Sequence, residues 1–457
     1  MTAEEYAYRQ PEGMWSRVFS SHTFTPVLDR AEGIYLYDTE GRRYIDVSGG
    51  PMAVGIGHGD KRVAQAVARQ MEKFAFCHPA LSNEPRARLC ERLSQIAPGD
   101  LNTTFLAPGG GSDAIETALK LARQYHLATG KPDKHMVVGT WESYHGMSLG
   151  ALSVAGIPGM RRPFDPMLLK WPKVHQYSDS ARPEGMDREE YGVRMAQELE
   201  ECIHYHGASL ISAFMATPIG AGSDYGLVPP ASYWKTIRDI CTANDILFIA
   251  DEVVTGFGRT GRWFAMEHFG VQADMMILGK GITSLYAPMG AVMVSDRVNE
   301  PFEKGVYFNH GFTNQGHPVA CAASLAVIDI LEKDGLVENS ARLGEYLHSQ
   351  AHRLQGHKSV ADTRGRGLFQ VMELVSNKKT MDFFPRSAQA EFHLQALALK
   401  NGLVLYSTLY GPRQPSMPKR GLPFWIAPPM CITRPQLDEL LDAVDRTLTD
   451  WEEKMGI

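Results

Sequence analysis

Short apolar runs, separated by stretches of helical periodicity, dominate the middle of the chain. Thr103–Leu106, Met136–Thr140, Leu210–Thr217, Ile246–Ala250, Met275–Leu278 and Ala291–Ser295 have the length and the aliphatic or β-branched content of strands. From about Asp60 to Ile330 they alternate with helical patterns, the arrangement that a mostly parallel sheet demands. A helix over about His317–Glu332 leads out of this region. Beyond it, strands are expected near Leu368–Leu374 and Leu403–Tyr406. A closing helix is expected from about Arg434, where Leu437, Leu440, Leu441, Val444 and Leu448 recur at helical spacing as a core stripe. The stretch up to about Gly59 reads as short strands and turns. With 457 residues the chain is too long for one ordinary core. The expected division is a large domain over 60–330 and a small α+β domain assembled from 1–59 and 331–457.

Two of the apolar runs end in charge. Asp251 follows Ile246–Ala250 and Lys280 follows Met275–Gly279, 29 residues apart. Neighbouring parallel strands would present this carboxylate and amine to one crevice at their C-terminal ends, where open α/β sheets bind ligands. A pyridoxal phosphate (PLP) enzyme requires such a pair: the lysine forms a Schiff base with the aldehyde, and the aspartate keeps the pyridine nitrogen protonated. A buried salt bridge beside a surface lysine is the structural alternative. A desolvated crevice would also lower the lysine pKa toward working pH.

Two further segments favour the cofactor. Ala107-Pro108-Gly109-Gly110-Gly111-Ser112 is a glycine-rich turn between a strand and the helical pattern from Asp113. Backbone amides at the helix start, with the Ser112 hydroxyl as cap, would hold a phosphate. The spacing is not GxGxxG, which disfavours a dinucleotide loop. In Trp141-Glu142-Ser143-Tyr144-His145-Gly146, after Met136–Thr140, Tyr144 or Trp141 could stack on a flat ring, and Gly146 would let the backbone approach.

Together with Gly57-His58-Gly59, Gly279-Lys280-Gly281, Gly311-Phe312-Thr313, Gly316-His317-Pro318, Pro428-Pro429 and the long motif from Asp251 to Gly261 (DEVVTGFGRTG), these segments resemble the class III PLP-dependent aminotransferases. The resemblance runs from about Tyr35 to Ile432. It implies PLP fold type I, an α/β architecture with a mostly parallel seven-stranded sheet and a smaller α+β domain formed from both termini. By the same resemblance Lys280 carries the Schiff base and shuttles the proton, Asp251 partners the pyridinium, and Tyr144 and Val253 cover the two ring faces. Gly111 and Ser112 take the phosphate, joined by Thr313 of a second copy, so that a homodimer shares its active sites; pairing of dimers into a tetramer is left open. His145 would orient the turn carrying Tyr144, and Arg259 would serve its own loop. Pro51, Trp141, Phe312 and Arg420 are candidate substrate contacts.

Several positions depart from the family pattern. Gly110 replaces a serine, Val254 a glutamine that reaches the ring hydroxyl, and Thr217 a glutamate that pairs with a mobile arginine. Arg420 stands two residues out of register with the usual carboxylate-binding arginine, and Lys419 and Arg413 compete with it. Gly50 and Pro51 occupy a place often held by aromatic residues, which implies a wide pocket.

The expected function is transfer of an amino group from an amine or ω-amino acid to a 2-oxo acid, pyruvate being favoured because the glutamate gate is missing. An aminomutase, a dialkylglycine-type decarboxylase and a non-catalytic PLP-binding protein are the alternatives. Composition fits: 44% hydrophobic and 21% charged residues are ordinary for a globular enzyme, and a net charge of -6 gives no reason to expect nucleic acid or an anionic membrane. The first residues lack a signal-peptide pattern, no run is long enough to span a bilayer, and the six scattered cysteines read as reduced thiols of a cytoplasmic protein. The sixteen histidines show no HExxH spacing, and no metal is expected.

Overall fold

The computed structural model describes residues 26–222, 225–406 and 421–457. Its strands are β1 (Leu28–Glu32), β2 (Tyr35–Asp38), β3 (Arg43–Asp46), β4 (Thr103–Ala107), β5 (Met136–Thr140), β6 (Lys173–Val174) and β7 (Ile211–Ala216), followed by β8 (Leu247–Asp251), β9 (Met275–Leu278), β10 (Gly290–Val294), β11 (Val360–Gly365), β12 (Gln370–Leu374), β13 (Leu403–Val404) and β14 (Leu422–Ile426).

Seven of them form one sheet in the order β4-β10-β9-β8-β7-β5-β6. Only β10 runs against its neighbours, β4 and β9; the other pairs are parallel. Because side chains alternate along a strand, each face has its own core. Leu247 and Ile249 of β8, with Met275 and Ile277 of β9, pack against Ile115, Ala118 and Ala122 of the helix Gly111–Ala128. Phe248 and Ala250 face the other way, toward Leu199 of the helix Arg188–His206 and Trp234 and Ile237 of the helix Ala231–Ala243. The same alternation turns Asp251 to the side of the Gly111–Ala128 helix, which positions the site.

Two smaller sheets join distant parts of the chain. β13 pairs in parallel with β3, tying the N-terminal strands to residues 403–404. β11, β12 and β14 form an antiparallel sheet. The helix Arg434–Met455 begins at a reciprocal cap, in which the Thr433 hydroxyl accepts from the Gln436 N–H and the Gln436 carboxamide accepts from the Thr433 N–H. Its stripe Leu437, Leu440, Leu441, Val444 and Leu448 is buried. Among the described residues no helix is long and apolar enough to cross a membrane.

Candidate active site

Asp251 ends β8 and Lys280 lies two residues past the end of β9, its parallel neighbour, in which Ile277 is the register partner of Asp251. Lys280 has a left-handed backbone, φ 39°, that swings its side chain back over the strand ends. Its Nζ donates to the carbonyl of Pro51 at 2.8 Å. Desolvation in the crevice pushes its pKa down to about 8, assisted by the charge of Arg259 and opposed by Asp251.

Asp251 is buried. Its Oδ1 accepts the Val253 N–H at 3.0 Å, and its Oδ2 lies 2.6 Å from Nδ1 of His145, which carries the shared proton as donor. His145 thus braces the carboxylate directly, a contact beyond the expected role of orienting its own turn. The other ring nitrogen, Nε2, is buried without a partner among the described residues. Nothing in the sequence separation of 106 residues signalled this pair.

The glycine-rich turn needs its glycines. Gly110 sits at φ 122°, and a Cβ on Gly111 or Gly279 would come within 3.1 Å of the Val253 side chain. That close approach brings the helix start, with N–H groups that lack intrahelical acceptors, to the wall formed by Val253. One expectation needs correction. The helix begins at Gly111, its cap is Gly110, which has no side chain, and the Ser112 hydroxyl instead accepts the Met147 N–H at 3.3 Å. Ser112 lies inside the first turn, too late in the chain to cap it.

The remaining candidates are distributed around this centre. Tyr144 is half-buried on the loop after β5. Trp141 starts that loop with its ring 5.8 Å from Nζ of Lys173. Phe312 stands edge-on to His310 at 4.8 Å, and Thr313 beside it is exposed. Thr217 is buried beyond the end of β7 with no partner for its hydroxyl among the described residues, and Val254 packs into an apolar cluster with Ile219 and Phe369. Arg413, Lys419 and Arg420 lie outside the described residues.

Two residues of the long motif act as braces. The Arg259 guanidinium, buried, donates to the carbonyls of Val54, Leu368, Ala427 and Pro428 at 3.1, 3.3, 3.0 and 2.6 Å, joining the motif to three distant segments. Burial holds its pKa down at about 10. Glu252 is fully buried and accepts N–H groups of Ala265 and Met266 at 3.0 and 2.8 Å and the Thr255 hydroxyl, while burial pushes its pKa up to about 7. Its role was not foreseen, although strand alternation puts it on the face opposite Asp251.

A neutralisable amine, a braced carboxylate and a helix start stripped of side chains match the aldehyde, pyridine nitrogen and phosphate of PLP. The chain matches the model of the family "Aminotransferase class-III" over residues 18–448, and it belongs to that family. It is 35% identical to the putrescine–pyruvate aminotransferase of Pseudomonas aeruginosa over 92% of this chain and 90% of that one. Among solved structures it is similar to an (S)-enantioselective omega-transaminase from Thermomicrobium roseum, with 36% identity, TM-score 0.88 and 98% of both chains covered. It is also similar to the omega transaminase of Pseudomonas jessenii in complex with PMP, with 30% identity and TM-score 0.89 over 99% of this chain and 98% of that one. The protein is a PLP-dependent transaminase of fold type I.

Proposed function

We propose that the chain moves the amino group of a primary amine or ω-amino acid to pyruvate, as a cytoplasmic homodimer with shared active sites. The juxtaposition of Lys280 with the His145-braced Asp251, opposite the Gly111 helix start, carries the reading. When bound, PLP supplies an aldehyde and an electron-withdrawing ring. Asp251 would hold the proton on the pyridine nitrogen, with His145 fixing the carboxylate. Val253 and Tyr144 would enclose the ring, and Gly111 and Ser112 would bind the phosphate. Lys280 takes and returns the proton at the substrate carbon that bears nitrogen, for which a pKa near working pH suits it.

The name of the P. aeruginosa relative supports pyruvate as acceptor. Exposed apolar side chains beside the site, Met147, Leu149 and Leu285, support coverage by a second copy, whose Thr313 would complete the phosphate site. Six unpaired thiols support a reducing compartment. The β3–β13 pairing supports a small domain built from both terminal segments, 1–59 and 331–457, beside a large domain over 60–330. A panel of amines incubated with pyruvate or 2-oxoglutarate tests the reading. Alanine should form from pyruvate and disappear in Lys280→Ala. Release of carbon dioxide, isomerisation without an acceptor, or a clear preference for 2-oxoglutarate would overturn it.

A further inference from the structure

His310, three residues before Thr313, sits in a contact network that the family chemistry above does not use. Its ring stacks on Phe105 of β4 with centroids 5.3 Å apart and planes inclined by 24°, and it meets Phe308 and Phe312 at 5.4 and 4.8 Å. Its Nε2 lies 2.9 Å from the hydroxyl of Thr117 and its Nδ1 3.4 Å from Nζ of Lys120, both on the helix Gly111–Ala128. The Thr117 hydroxyl spends its one proton on the carbonyl of Asp113 at 2.7 Å, so it must accept from His310. Nε2 therefore carries hydrogen, and Nδ1 receives the Lys120 ammonium. Only the neutral Nε2–H tautomer satisfies all three contacts.

The same helix face holds the rest of the segment. Gln124 donates to the carbonyl of Tyr307 and accepts the Asn309 N–H at 3.0 Å. Thr117, Lys120 and Gln124 are three and four residues apart, one stripe of one helix. That helix presents its own start to the phosphate of its own site. Past His310 the chain turns, with the Gln315 N–H bonded to the Phe312 carbonyl at 3.2 Å and Thr313 exposed at the turn.

We propose that His310 is a positioning residue, which latches the segment Tyr307–Phe312 onto the Gly111–Ala128 helix and thereby holds Thr313 where it reaches the phosphate site of a second copy. The inference rests on the reading that Thr313 serves the partner's site. Protonation of Nδ1 would set a hydrogen against the Lys120 ammonium and break the latch. Burial and Lys120 hold the imidazole pKa below its ordinary value, against the opposing pull of Glu116 and Asp113 on the same helix. The surfaces facing the ring from β4 and from the loop are the uncharged Phe105, Phe308 and Phe312. The latch is closed at neutral pH and opens on acidification, at a lower pH than an ordinary imidazole would require.

The test is PLP affinity of the full-length apoprotein by equilibrium dialysis at pH 8 and pH 5.5, with borohydride trapping to verify attachment at Lys280. Thr313→Ala and His310→Ala should each weaken binding by about tenfold, the equivalent of one good hydrogen bond. Their combination should be no weaker than Thr313→Ala alone. His310→Gln, whose carboxamide can donate to Thr117, should restore most of the affinity and reduce its acid loss to the part that comes from Lys280, and Lys120→Met should move the His310-dependent loss to higher pH. Wild-type affinity in His310→Ala beside a weakened Thr313→Ala, additive losses in the double variant, or an acid dependence unchanged by His310→Gln would each overturn the latch while leaving the shared site standing. Wild-type affinity in Thr313→Ala would overturn the shared phosphate site, and the latch with it.

Discussion

The reactivity of Lys280 can be measured before any cofactor is added. At a pKa of about 8 instead of 10.5, roughly one side chain in ten is neutral at pH 7, against roughly one in three thousand for an exposed lysine. The crevice thus raises the population of nucleophile by about 300-fold. Competitive acetylation of the apoprotein over pH 6–11, read by mass spectrometry of the Lys280 peptide, should give a midpoint near 8. Two substitutions separate the causes. Asp251→Asn removes a negative charge that favours the ammonium and should lower the midpoint; Arg259→Met removes a positive charge and should raise it. Both shifts should be smaller than the total displacement, because desolvation is the largest cause. Stability follows the same group. Between pH 8 and 10.5 the unfolded chain binds the proton that the folded chain has lost, so apoprotein stability gains up to about 3 kcal/mol from this lysine as pH rises through that window. That contribution is lost as pH falls through 8. A labelling midpoint at or above 10, or shifts of the wrong sign in the two variants, would refute a desolvated amine flanked by these charges.

Other substitutions test the frame. Gly111→Ala should weaken PLP binding by at least tenfold, measured by dialysis, because its Cβ meets Val253 at 3.1 Å and that wall does not yield freely. Arg259→Met strands four buried carbonyls and should cost about 3 kcal/mol, seen as a lower urea midpoint. Lys134→Met should behave similarly, since its ammonium is coordinated by the carbonyls of Ala208, Ile211 and Asn244 far from the site, but with PLP affinity unchanged. Bulky and branched amines should be accepted as donors, because the Pro51 carbonyl places the Gly50–Pro51 turn against Lys280 and no side chain fills the space at Gly50. Rates confined to small ω-amino acids would count against that pocket.

What the sequence revealed is what repeats or concentrates locally. The strand runs, the glycine turn, the Asp251 motif and the helix over Pro318–Lys333, expected one residue earlier, are each written in adjacent residues, so their patterns survive without knowledge of the fold. The antiparallel sense of β10 was not readable, because a fully buried strand carries the same apolar run in either direction. β11 and β14 were missed for a different reason. Val360–Gly365 contains Asp362, Thr363 and Arg364, whose guanidinium binds Asp362 and Glu373, so polar residues stand inside a strand. β14 carries Pro423, which usually argues against a strand but is tolerated here because β14 lies at the edge of its sheet. The His145–Asp251 and Lys280–Pro51 contacts span 106 and 229 residues, and no local rule encodes pairings of that kind.

These long-range contacts share a cause with the unusual backbone around them. Met52, Glu142, Phe257, Lys280, Ser284 and Leu285 all have left-handed φ values between 39° and 69°, a conformation that costs each about 1 kcal/mol or more outside glycine. They belong to four segments: the turn at Met52, the loop after β5, the Asp251–Gly261 motif and the Lys280 turn. Such backbone persists only where the surroundings over-determine it, and the braces are found here. Ser284 Oγ accepts the N–H groups of Gly55 and Ile56, Glu252 gathers three donors, and Arg259 holds four carbonyls. None of these three is hydrogen-bonded to Lys280 Nζ, yet Ser284 ties the Lys280 turn to Gly55 and Ile56, and Arg259 holds Val54, three residues after the Pro51 carbonyl that Nζ meets. The long motif therefore encodes more than the carboxylate proposed to hold the pyridine nitrogen: Glu252 ties it to Ala265 and Met266, and Arg259 ties it to Val54, Leu368, Ala427 and Pro428, around the strand ends from which Asp251 and Lys280 open onto one crevice.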